Sequence, residues 1–207
     1  MSQLQLAVLA SGKGTNLQSI LDAIKTNKLN ATVKVVLSDK SEALALKRAQ
    51  DEGIPAYYVN HKDFIDKQDF EKALLEKIKS YNVDHIILAG FMRVLSSFFV
   101  QKAGVPILNI HPSLLPSFQG LNAHKQAIDY GVRFSGCTVH FVDEGVDTGP
   151  IILQSVVPVL PGDSEEILAK RILEKEHDVY PQAIQLLSEG RIVCRGRRVI
   201  IVEEGEA

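Results

Sequence analysis

The chain has 207 residues, 45% of them hydrophobic, with 23 basic against 25 acidic side chains and a formal net charge of −2. That is ample chain for a substantial core, and its balance offers no electrostatic case for a nucleic-acid-binding surface, so any anionic ligand needs a local site. The two cysteines, Cys137 and Cys194, lie far apart without metal-ligand spacing, which speaks against a zinc site and fits buried thiols in a reducing cytoplasm.

The run Leu4 to Ala10 is apolar and reads as a buried parallel strand. It is too short for a membrane span, carries no basic lead-in, and starts three residues after Met1, so neither an anchor nor a preceding domain is expected. Ser11-Gly12-Lys13-Gly14-Thr15-Asn16 follows, and then Leu17, Ile20, Leu21 and Ile24 recur at helical spacing. A strand, a glycine loop and a helix in that order aim free backbone N–H groups and the positive end of the helix dipole at the loop, which favours phosphate. The loop lacks the Walker spacing. It half matches a dinucleotide fingerprint, with Gly12-x-Gly14 present, Leu17 at the third glycine position and Asp39 where a ribose-binding acid could sit. A tight turn without a ligand is the other reading.

The second strand is Ala31 to Leu37, and a helix from about Glu42 to Glu52 is closed by Gly53. Ile54 to Val59 is a short strand that Pro55 places near an edge. After a polar loop, Asn60 to Asp66, one helix face is marked by Phe70, Leu74, Leu75 and Ile78, and His85 to Ala89 is a fourth strand with His85 as its polar entrance. Phe91-Met92-Arg93-Val94-Leu95 then stands at a strand's carboxyl end, where open parallel sheets bind ligands. Either it lines a pocket, or it begins a helix through Phe99 and packs; periodicity favours the helix. The alternation predicts an α/β, doubly wound, mainly parallel sheet with antiparallel strands at the C-terminus.

Val105 to Leu108 is apolar apart from Pro106 and leads into Asn109-Ile110-His111-Pro112-Ser113-Leu114-Leu115-Pro116. Asn109 and His111 are two apart, so in extended chain their side chains leave the same face, while Pro112 keeps His111 out of helical geometry. An amide and an imidazole so held suit charge stabilisation or proton transfer; a capping asparagine and a loop histidine are the plain alternative. A helix over 122–130 precedes a strand over 137–142 in which His140 reads as a partnered structural residue. The acidic turn Asp143 to Pro150 follows, and Asp147 within it could orient and charge an imidazole. Short strands over 151–154 and 156–160 lead to a helix starting at Asp163 or Ser164, kinked or restarted at Pro181 and ended by Gly190. Ile192 to Cys194 and Val199 to Val202 read as a hairpin across the basic turn Arg195 to Arg198.

Four motifs together resemble one family. Ser-Gly-x-Gly-Thr-Asn-Leu at 11–17, Ala-Gly-Phe-Met-Arg-Val-Leu at 89–95, Asn-Ile-His-Pro-Ser-Leu-Leu-Pro at 109–116, and Val-His-Phe-Val through Asp-Thr-Gly-Pro at 139–150 look like the phosphoribosylglycinamide formyltransferases. The resemblance spans nearly the whole chain. It implies transfer of a formyl group from 10-formyltetrahydrofolate to the amine of glycinamide ribonucleotide in purine synthesis, by direct attack through a tetrahedral intermediate. The family's catalytic asparagine, histidine and aspartate fall on Asn109, His111 and Asp147. Asn109 and a protonated His111 would donate to the developing oxyanion, and Asp147 would keep His111 charged.

The same resemblance assigns Gly12, Lys13, Gly14, Thr15 and Asn16 to the ribonucleotide phosphate and Glu176 to its ribose or glycinamide end. It assigns Met92, Arg93, Val94, Leu95, Asn109, and Val142, Asp143, Glu144, Gly145, Val146 and Asp147 to the folate. Lys67 would meet the folate's glutamate tail with a charge but without arginine's bidentate fork. Gln119, where many relatives carry proline or lysine, reads as loop variation. The expectation is thus one domain over 1–207, with a phosphate-binding half over 1–108 and a catalytic, folate-binding half over 109–207. It would be cytoplasmic, monomeric or homodimeric, with small-molecule substrates, no metal, no nucleic acid and no membrane partner. A formyltetrahydrofolate hydrolase, a methionyl-tRNA formyltransferase and a nicotinamide-dependent binding protein are the rivals.

Overall fold

A computed structural model describes residues 3–203, so Met1 lies outside the described residues. The chain divides into two compact units, Met1–Leu108 and Asn109–Ala207.

The first unit alternates strands β1 (Leu4–Leu9), β2 (Ala31–Ser38), β3 (Ala56–Tyr58) and β4 (His85–Leu88) with helices α1 (Thr15–Lys25), α2 (Leu44–Asp51), α3 (Lys67–Lys79) and α4 (Ser97–Ala103). It ends on the first residues of β5 (Ile107–His111). The strand order β3-β2-β1-β4 is parallel throughout and leaves β3 at an edge, where Pro55 just before it can be tolerated. Leu6, Ala7, Val8 and Leu9 of β1 are all fully buried, as a strand covered on both faces requires. Because the strands run the same way, Ser11, Asp39 and Gly90 emerge together at their carboxyl ends. The polar loop after β3 contains a short 3-10 turn, His61–Asp63.

The helix that periodicity favoured from Phe91 onwards does not form there. It begins at Ser97, with Ser96 as N-cap accepting from the Phe99 N–H at 3.4 Å. The fully buried Glu71 of α3 fixes this start by accepting from the Ser96 N–H at 2.8 Å and from the Ser96 hydroxyl. A cap held by a residue 25 positions away overrides the local apolar pattern. Residues 91–95 therefore remain loop.

The second unit carries the rest of β5, then α5 (Ala123–Tyr130), β6 (Phe134–Phe141), β7 (Ile151–Pro158), α6 (Glu165–Ser188) and the hairpin β8 (Ile192–Arg195) and β9 (Arg198–Ile201). The order is β6-β7-β9-β8, with β6/β7 and β8/β9 antiparallel and β7/β9 parallel. The two short strands expected over 151–160 are one, because β7 pairs with β6 from His140↔Ile151 to Phe134↔Pro158. Gly136 makes this close pairing possible, since a Cβ there would stand 2.0 Å from the Ser155 carbonyl oxygen.

Helix α6 is capped by Ser164 and runs 24 residues through Pro181 without a break. Proline removes one donor from the ladder, but Val179, Tyr180, Pro181, Ala183 and Ile184 are all buried, and that packing outweighs the lost bond. Thr138 of β6 is fully buried and ties down the chain beyond β5. Its hydroxyl donates to the Ser113 carbonyl at 2.6 Å and accepts from the Leu115 N–H at 3.0 Å and the Gln154 amide at 2.9 Å. Cys137 and Cys194 are free thiols; Cys137 is buried in β6 as expected, but Cys194 is exposed, because it lies on the short terminal strand β8. Burial, reinforced by the charge of Glu176 on α6, pushes the Cys137 pKa up to about 12. Among the described residues, no helix is long and apolar enough to cross a membrane.

Candidate active site

Strand β5 extends to His111, so Asn109 and His111 leave one face of it as their spacing requires, with His111 only 5% exposed. Asp147 reaches them from the turn after β6. The turn is fixed from within: the Asp143 carboxylate accepts from the Gly145 N–H at 3.1 Å and the Thr148 hydroxyl at 2.6 Å. Gly149 lies so close to β6 that a Cβ would stand 1.8 Å from the Phe141 carbonyl oxygen.

The three side chains form one network. Asp147 Oδ2 lies 3.3 Å from His111 Nδ1 and accepts from the Gly120 N–H at 2.9 Å. Its other oxygen, Oδ1, faces the Asn109 amide at 3.4 Å and His140 Nε2 at 3.6 Å. His111 Nε2 donates to the Phe118 carbonyl oxygen at 2.8 Å. With a carboxylate at one ring nitrogen and a carbonyl at the other, His111 faces acceptors on both sides. At His140, Nδ1 donates to its neighbour's carbonyl, that of Phe141, at 2.8 Å, and Nε2 stands 3.2 Å from the Asn109 amide nitrogen while facing Asp147 Oδ1. Burial alone would raise the Asp147 pKa, but the hydrogen bonds from His140 and Gly120 and the charges of both histidines outweigh it and hold the carboxyl below its ordinary value.

His140 is thus partnered, as expected, but its partners are Asn109 and Asp147 themselves. Gln119 is likewise more than loop variation: its amide donates to the Asp147 carbonyl oxygen at 3.1 Å. Glu176 lies on the buried face of α6.

In the first unit the glycine loop opens α1. Gly14 is its N-cap with φ 67° and no side-chain cap, so the first N–H groups of the helix are not taken up by a capping side chain. Gly14 has no substitute, because a Cβ would meet Ala45 Cα at 2.7 Å. Gly12 and Lys13 are exposed, Thr15 is half-buried and Asn16 buried. The Gly12 and Lys13 carbonyls accept from the Ala45 N–H at 3.2 Å and from Arg48 Nε at 2.9 Å, so α2 braces the loop from behind.

Asp39 is 3% exposed and both its oxygens are engaged, Oδ1 by the Ser11 hydroxyl at 2.6 Å and Oδ2 by Arg93 Nε at 2.8 Å. In this structure Asp39 thus serves the protein's own loops. In the loop after β4, Met92 and Val94 are 64% and 56% exposed while Arg93 is half-buried. Lys67 opens α3, exposed, with its ammonium 3.8 Å from Glu71. Among the residues of the second turn, Glu144, Gly145 and Val146 are exposed and Val142, Asp143 and Asp147 half-buried.

The sequence pattern of the family described as formyl transferase matches residues 4–184. The phosphoribosylglycinamide formyltransferase of Escherichia coli is 43% identical over 91% of this chain and 89% of its own length. The crystal structure of glycinamide ribonucleotide transformylase 1 from Symbiobacterium toebii superposes with a TM-score of 0.95 at 48% identity, covering 97% of this chain and 95% of that one. The trifunctional purine biosynthetic protein adenosine-3 of Drosophila pseudoobscura is 48% identical over 91% of this chain, which spans only 14% of that protein's length. A shared pattern, close identity and the same fold agree, and the chain belongs to the formyl transferase family.

Proposed function

We propose that the chain transfers the formyl group of 10-formyltetrahydrofolate to the amine of glycinamide ribonucleotide, in purine biosynthesis. The observation that carries this reading is the single network of Asn109, His111 and Asp147 in a chain so similar to the Escherichia coli enzyme. Asp147 orients His111 and favours its charged form; His111 and the Asn109 amide supply donors for negative charge gathering on the formyl oxygen. The His111 Nε2 proton is held by the Phe118 carbonyl, so the reading requires the substrate oxygen to replace that acceptor.

The formyl donor carries its electrophilic carbon on a linking nitrogen, between a polar pterin-like ring and an anionic glutamate tail. By resemblance Met92 and Val94, with their apolar surface, Val142 to Asp147, with their main chain, and Lys67, with its charge, are the residues assigned to it. Gly12 to Asn16 suit the ribonucleotide phosphate, and Glu176 its ribose or glycinamide end. The reaction is assigned to the cytoplasm, which the two free thiols support, with small molecules as the only partners of a monomer or homodimer.

The test is the absorbance change on deformylation of 10-formyltetrahydrofolate by the purified protein, with and without glycinamide ribonucleotide. Turnover only with the ribonucleotide is expected. Equal turnover without it would make the chain a hydrolase, and none under either condition would sink the reading.

A further inference from the structure

The end of β1 and the loop after β4 are joined by a closed ring of bonds that the proposed chemistry does not use. The Ser11 N–H donates to the Gly90 carbonyl at 2.9 Å, and the Met92 N–H donates back to the Ser11 hydroxyl at 2.9 Å. That hydroxyl donates onward to Asp39 Oδ1 at 2.6 Å, and Asp39 Oδ2 holds Arg93 Nε at 2.8 Å. The Arg93 guanidinium also lies over the buried Phe70 ring, 5.6 Å from its centroid. Ser11 is 9% and Asp39 3% exposed, so these are low-dielectric, charge-assisted bonds. One side chain, Ser11, therefore stands at the root of Gly12 to Asn16 and also fixes the backbone of Met92.

We propose that Ser11 and Asp39 are positioning residues that couple the glycine loop to the Met92–Leu95 loop, so that an anion seated on the first raises affinity for the ligand of the second. The physical basis is that both loops hang on the same hydroxyl. Ordering Gly12 to Asn16 around a phosphate steadies Ser11, which steadies the Met92 N–H and, through Asp39, the Arg93 side chain. A second ligand then meets a loop whose ordering is already complete, and by linkage the effect is the same in either direction. Without the hydroxyl, Met92 N–H loses its acceptor and Asp39 loses one of its two donors, and the two loops become independent.

This inference rests on the functional reading for its ligands, glycinamide ribonucleotide and tetrahydrofolate, the deformylated donor, which together cannot react. Calorimetric titration of the ribonucleotide with and without saturating tetrahydrofolate gives the coupling factor directly. For the natural chain the ribonucleotide is expected to bind at least about 5-fold tighter in the presence of the folate. Ser11→Ala should bring that factor close to one. Asp39→Asn, which keeps an acceptor for Ser11 but removes the negative charge facing Arg93, should retain an intermediate factor and, in turnover, raise KM for the folate more than it lowers kcat. A factor of one in the natural chain, or an unchanged factor in both variants, overturns the coupling while leaving the function intact. Absence of ribonucleotide binding in the natural chain overturns both together.

Discussion

Asp147 is a non-glycine residue held at φ 54°, in the left-handed region that aspartate and asparagine enter more readily than most side chains. Its identity therefore serves the backbone as well as the carboxylate, and two substitutions separate these parts. Asp147→Asn keeps the turn and is expected to fold normally while turnover falls by about 100-fold or more, the scale of losing a charge-stabilising group. Asp147→Ala should lose as much turnover and also about 1 kcal/mol of stability, read as a lower Tm, because alanine pays for the left-handed conformation. Asn109→Ala and His111→Ala should likewise cost about 100-fold or more in kcat with folding retained, checked by steady-state rates beside circular dichroism. At this scale the residue pair on β5 was legible because alternation alone puts both on one face. His140, Gly120 and the Phe118 carbonyl were not, because their part depends on distant segments meeting, which no local pattern encodes.

The elements were legible where one periodicity ruled and misread where a long-range partner decided. The parallel strands and helices of the first unit follow their apolar patterns, and Gly53 and Gly190 stand where helices α2 and α6 stop, both with φ 68°. The start of α4 was misplaced because Glu71, not the Phe91 to Leu95 pattern, fixes Ser96. Pro181 was overrated as a breaker because burial along α6 is invisible to a local rule. The glycine loop carries a test at this scale. Gly14→Ala must push against the backbone of Ala45 at a position with φ 67°, so a loss of about 1–3 kcal/mol is expected, with weakened ribonucleotide binding measured by titration. At the other end of the chain, Ser164→Ala removes the α6 cap and should cost about 1 kcal/mol, read as the fall in denaturation midpoint, without altering kcat.

For the molecule as a whole, the acid limb of stability has a named source. Arg171 grips Asp163 with two bonds of 2.6 and 2.9 Å, and the Leu160 N–H adds a third at 2.7 Å. Arg171 first and Leu160 second hold the Asp163 pKa down at about 2, and Asp147 is shifted the same way. A depressed carboxyl stabilises the folded state above its unfolded pKa, roughly 3.9, and that contribution is lost as pH falls through the folded value. Tm should accordingly drop between about pH 4 and pH 2, and Asp163→Asn, less stable at neutral pH, should converge on the natural chain there. Scanning calorimetry across that window decides it; parallel curves would locate the acid sensitivity elsewhere. The overall α/β architecture was legible from alternation alone, whereas the merging of two predicted strands into β7 depended on Gly136 admitting a close neighbour. The contrast between the two thiols has a practical side. Cys137 is sealed and holds its proton to about 12, while Cys194 stands open on β8, so a maleimide dye at neutral pH will attach at one place. The natural chain thus arrives with a single fluorescent handle on its C-terminal hairpin, away from Asn109, His111 and Asp147 in sequence, and no engineered cysteine is needed to watch it bind.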